Sequence, residues 1–131
     1  MLKRLKKLVS GRARGVRPQL RIVVDDAGAS VVDADTQRQL WRIEWAAVKE
    51  IVGWKDDVFS YDIMCLGFRT TDADQYYVCD EEYQGWEELT AKVDQVFSLQ
   101  GSSWWSRVAF PPHARNWTVV WGSPLPMDGV K

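Results

Sequence analysis

Cysteine and histidine are scarce in this chain. Its 131 residues include two cysteines, Cys65 and Cys79, and one histidine, His113. Two thiols are too few for a disulfide scaffold, and they lack the third and fourth ligands of a structural zinc site. His113 follows Pro111 and Pro112, and no Gly-x-Ser-x-Gly elbow or cysteine signature accompanies it, so no nucleophile and base can be paired from sequence. The acidic groups Asp56, Asp57, Asp80, Glu81 and Glu82 lack the Asp-x-Asp-x-Asp-Gly spacing of a calcium loop and read as solvated edges. Apolar runs extend only a few residues, far short of the roughly 20 that cross a bilayer. These absences predict no catalytic residues, no metal site and no cofactor.

Acid is missing from one end. Residues 1–21 carry eight basic groups and not one carboxylate, so the remaining nine basic residues face all 18 acids and the body bears about −9. Leu2, Leu5 and Leu8 can share a helical face, with Lys3, Arg4, Lys6 and Lys7 around it and Arg12, Arg14 and Arg17 beyond. Those leucines are too interrupted by charge to make a secretory h-region, which leaves the cytoplasm as the expected location. Such an arm suits an anionic membrane surface. Nucleic acid fits less well, because the acidic body would be repelled and the arm has no aromatic residue to stack on bases.

Tryptophan is abundant. Eight are present, and two segments set a pair on one side of a pleat: Trp41, Ile43 and Trp45, then Trp117, Val119 and Trp121. Side chains alternate across a strand with period two, so each triplet predicts one apolar strand face. Hydrophobic residues at 46% and charged residues at 27% suit one globular core in a chain of this length. The expected organisation is a flexible basic arm over 1–18, a single domain over 19–121 and a loose tail over 122–131.

Within the domain, Leu20, Ile22 and Val24 open a hairpin whose turn ends at Gly28, where a positive φ is expected. A return strand to Asp33 and the Trp41 strand complete a meander. A strand over 50–54 then places Val52 and Trp54 opposite Ile51 and Gly53. A long hairpin over 60–80 turns about Asp72, which would set Met64, Leu66 and Phe68 against Asp80, Val78 and Tyr76, and Cys65 across from Cys79 as free thiols. Gln84 and Gly85 introduce an amphipathic helix over 86–99 with Trp86, Leu89, Val93, Val96 and Phe97 on one stripe, Glu88 one turn from Lys92 and Gly101 as its stop. Trp104 to Val108 allows a short second helix, ended by Pro111 and Pro112. The fold class is α+β, mainly antiparallel β.

Meander order, Trp45, Ala46, Ala47 and Val48 leading into Lys49 and Ile51, a long hairpin and then a helix resemble the bacterial pleckstrin-homology-like domains over residues 19–100. The resemblance implies a bent sheet or half-barrel closed by one C-terminal amphipathic helix. It also implies a lipid loop at the first hairpin, but Asp25 and Asp26 stand where that family's lipid binders carry basic residues. The segment with Trp104, Trp105 and the Trp117 strand lies outside the family's common core.

The chain therefore reads as a non-enzymatic cytoplasmic binding module for a protein partner, with no small-molecule substrate. Two other classes remain open: a peripheral membrane module held by the arm, and a carbohydrate binder using exposed tryptophan, with Trp104 and Trp105 the candidates because adjacent residues cannot both face the core.

Overall fold

The computed structural model describes residues 7–9, 19–58, 61–112 and 114–125. Its strands form two sheets and no single closed barrel. Strands β1 (Lys7–Val9), β5 (Glu50–Val58), β6 (Tyr61–Arg69), β7 (Gln75–Asp80) and β8 (Thr118–Gly122) make a five-stranded sheet in the order β1-β7-β6-β5-β8. Strands β2 (Leu20–Val24), β3 (Gly28–Asp33) and β4 (Gln39–Glu44) make the meander that sequence predicts. Two helices follow β7, α1 (Trp86–Val96) and α2 (Trp104–Ala109). Among the described residues the strands pair antiparallel except β1 with β7, and an isolated parallel bridge joins Arg21 to Gln84.

Within the arm expected to be flexible over 1–18, Lys7–Val9 is therefore a correction: it pairs in parallel with Gln75, Tyr76 and Tyr77. The tail is also less loose at its start than expected. Ser123 donates its N–H to the Lys49 carbonyl, and its own carbonyl accepts from Arg69.

The first hairpin shows why Gly28 is glycine. Its φ is not positive. Instead, a Cβ there would lie 2.0 Å from the Ile43 carbonyl oxygen of β4, so close strand approach is the constraint. The turn is held by Asp25, whose Oδ1 accepts the N–H groups of Ala27 and Gly28, both at 2.9 Å.

Trp41, Ile43 and Trp45 are buried and share one core with Leu66 and Phe68, as their alternation predicts. Trp45 gets there by another route, since β4 ends at Glu44 and Trp45 begins a 3-10 turn (Trp45–Ala47). The same core takes Trp86, Leu89 and Val93 from α1 and Trp104 and Val108 from α2. The helix is shorter than predicted: it ends at Val96, Val96 is exposed, and Phe97 is half-buried. Lys92 meets Asp26 across the fold at 2.8 Å, where a pairing with Glu88 is expected.

Along β5 and β6 the apolar residues do not stop at one face. Val52, Trp54, Ile63, Cys65, Tyr76 and Val78 form a second buried cluster on the reverse of the five-stranded sheet, and Trp117 stacks on Trp54 at 5.0 Å. The second tryptophan triplet is thereby divided. Ile51 pairs with Trp121 and Val52 with Val119, a bulge at Val120 intervening; Trp117 joins the reverse face while Trp121 packs on Phe97 in the main core. A bulge inserts one residue and reverses the alternation beyond it.

The β6 and β7 register is also one residue away from the predicted one. Cys79 opposes Leu66, and Cys65 opposes Asp80. A one-residue slip moves a side chain to the other face, so Cys79 lies in the main core and Cys65 in the reverse cluster.

Candidate functional site

The turn from β7 into α1 is pinned at several points. Glu81 accepts the Met64 N–H on Oε1 at 2.7 Å and donates its own N–H to the Met64 carbonyl at 3.0 Å. Gln84 runs beside the edge of β2, accepting the Ile22 N–H at 2.7 Å and donating to the Leu20 carbonyl at 3.1 Å. Gly85 enters α1 at φ +88, with its Cβ position only 2.4 Å from the Ile22 carbonyl oxygen. Only glycine fits that conformation and that gap. Glu87 and Glu88 then occupy the first turn of α1, where the positive end of the helix dipole favours carboxylates.

Helix α2 supplies the opposite wall. Trp104 is buried and donates its indole N–H to Asp94 Oδ1 at 2.9 Å. It therefore presents no free ring, contrary to the expectation that it is a binding candidate. Trp105, 46% exposed, stands edge-on against it at 5.7 Å. Adjacent residues on a helix do diverge, and a fixed Trp104 gives Trp105 a rigid backing. Between the two walls lies a groove of about 500 Å³, lined by Trp105, Trp86, Glu81, Glu87, Glu88 and Thr90 among others. Its rim is acidic and one side is aromatic. A positively charged ligand with an apolar portion suits that combination, because carboxylates attract the charge and an indole face accepts both cation and hydrocarbon.

Around the corner, Asp25 and Asp26 mark a second acidic recess of about 350 Å³ that shares Glu88 and holds Lys92. Asp25 is occupied by Arg42 at 3.0 Å, and hydrogen bonds from Arg42, then from the Ala27 and Gly28 N–H groups, lower its pKa to about 2. The first hairpin turn is thus a carboxylate already paired with its own guanidinium.

Of the basic residues expected to bind, Lys3, Arg4, Lys6, Arg12, Arg14 and Arg17 lie outside the described residues, and Lys7 is described only as the start of β1. His113 also lies outside them. The acidic edge is not wholly solvated: Asp80 is buried and accepts the Glu82 N–H on Oδ1. Both cysteines are buried free thiols. Desolvation foremost, with nearby carboxylates adding, pushes both thiol pKa values well up, which disfavours the nucleophilic thiolate. Among the described residues, no group of three His, Cys, Asp or Glu side chains is placed to hold a metal ion, and no helix is long and apolar enough to cross a membrane.

Sequence reading missed the polar interior. Glu50 and Arg69 face each other across β5 and β6, 2.9 Å apart and almost wholly buried. Tyr76 donates to the same Glu50 oxygen at 2.7 Å, and Arg69 also donates to the carbonyls of Thr71 and Ser123. Alternation alone puts these groups on the reverse face; only the burial of that face, which no local pattern announces, makes them interior. Neither a family model, nor a curated protein, nor a solved structure matches this chain.

Proposed function

We propose that this protein is a non-enzymatic binding module of pleckstrin-homology-like design that works in the cytoplasm by engaging a protein partner. The observation that carries the reading is the half-exposed Trp105 on its buried Trp104 support, facing Glu81, Glu87 and Glu88 across the groove. Aromatic anchors held rigid before binding lose little conformational freedom on docking. Carboxylates around such an anchor favour a partner segment with lysine or arginine beside an apolar side chain. The two buried thiols of raised pKa and the structural engagement of Asp25 and Asp80 support a binding role over a chemical one.

Calorimetric titration of the full chain with extended peptides carrying arginine next to leucine or phenylalanine tests the reading. Binding that weakens in Trp105→Ala and in Glu87→Gln/Glu88→Gln supports it. Binding of neutral oligosaccharides that is lost in Trp105→Ala, with no response to the peptides, would replace it with carbohydrate recognition.

A further inference from the structure

Phe110 is the most exposed of the large apolar side chains described, at 69%. A ring this open usually sits on a loose loop, yet here the backbone around it is tied down. Phe110 donates its N–H to the Ser106 carbonyl at 3.0 Å and ends α2. The carbonyls on either side of it, Ala109 and Pro111, both accept from Lys55 Nζ, at 2.7 and 2.8 Å. The Asn116 amide donates to Val108 and again to Pro111, at 3.0 and 2.9 Å. Lys55 is itself buried and lies 3.5 Å from Asp62 Oδ2. A buried ammonium and a side-chain amide thus fix the segment that holds an aromatic ring out in water.

Charge along the segment that carries the ring is of one sign. From Gln95 to Met127 the sequence has no acidic residue, although the body as a whole is strongly acidic. Arg107, three residues before Phe110, is exposed, and so are Pro111 and Pro112; Arg115 is exposed too, but its guanidinium lies about 6 Å from the Trp54 and Trp117 ring centres. The prolines extend the apolar tip without an N–H to desolvate. The acidic groove lies by Trp105 near the other end of α2, a helix about 9 Å long by its six residues.

We infer that the Phe110, Pro111 and Pro112 tip is a docking surface for an anionic lipid bilayer, the ring entering the interface while Arg107 meets lipid phosphates. Fixed presentation removes the ordering cost of insertion, the apolar tip and the Arg107 cation match the two layers of the lipid surface, and no carboxylate in the segment opposes them. The surface is independent of the groove beside Trp105, so either can fail alone.

The test uses the full chain and sedimentation with vesicles of phosphatidylcholine containing phosphatidylserine, against vesicles of phosphatidylcholine alone. Binding to the anionic vesicles is expected. Phe110→Ala should weaken it roughly tenfold, the scale of one buried aromatic side chain, and Phe110→Trp should strengthen it because tryptophan favours the interface. Arg107→Gln should weaken it roughly fivefold at low salt. The basic residues at 3–17 are intact in all three variants, so their attraction does not account for the differences. No binding of the full chain at low salt, or equal affinity for wild type, Phe110→Ala and Phe110→Trp, overturns the inference.

Discussion

Replacing Arg69 with methionine should be among the most damaging single changes in this protein. The guanidinium is 3% exposed and its Glu50 partner 1%. Removing it leaves a carboxylate buried without its counter-charge, together with the carbonyls of Thr71 and Ser123 deprived of a donor. Breaking a buried pair from one side costs about 3 to 5 kcal/mol. For a domain of this size that corresponds to a fall of roughly 10 to 20 °C in thermal midpoint. The fall should not be read as the worth of the ion pair, because most of it is the penalty on the stranded Glu50. Glu50→Gln in the Arg69→Met background removes the charge and keeps an acceptor for the Tyr76 hydroxyl, so the double variant should recover about half of the loss or more. Urea unfolding of the wild type, both single variants and the double variant measures the coupling. A single Arg69→Met loss below about 1 kcal/mol would refute the reasoning, since that is the range of an exposed pair. Additive losses would refute it too.

Three further outcomes are expected. Trp54→Ala, which empties a fully buried site beneath the Trp117 ring, should cost about 3 to 5 kcal/mol in urea unfolding, whereas Trp105→Ala should change stability by less than about 1 kcal/mol. Gly85→Ala forces a side chain into φ +88 and against the Ile22 carbonyl, and should cost about 1 to 3 kcal/mol by the same measurement. Asp25 has a folded pKa of about 2 against an ordinary 3.8, so its ionised form stabilises the fold above about pH 4 and that contribution is lost as pH falls towards 2; the midpoint difference between wild type and Asp25→Asn should hold steady above pH 5 and shrink between about pH 4 and 2.

The parts of this fold that were legible in sequence are those set by local alternation. The Leu20 hairpin, the first half of β5 with Val52 and Trp54 but not its continuation to Val58, and the helix after Gly85 all follow from short-range periodicity. Register did not. Turn length between β6 and β7 decides which residue meets Cys79, and the Asp72 region allows two centres that differ by half a residue. The bulge at Val120 has no sequence mark, so Trp117 and Trp121 read as one face and occupy two. Glu50 and Arg69 look like solvent-facing charges until both faces of the five-stranded sheet are known to be covered. For the candidate site, the divergence of Trp104 and Trp105 was readable, and so were the carboxylates of α1. Their convergence was not, because it depends on how Gln84 hydrogen-bonds to β2.

The groove between α1 and α2 is proposed to take a basic segment of a partner protein. Amide and indole NMR shifts of the full chain, recorded during titration with an extended peptide bearing arginine beside leucine, address it most directly. Saturable shifts are expected at Glu81, at residues 84–88, at Thr90 and at the Trp105 indole, with the Trp104 indole little changed because Asp94 holds it. Absence of shifts at Trp105 and Glu87, or shifts confined to the β2 and β3 hairpin, would contradict the proposal.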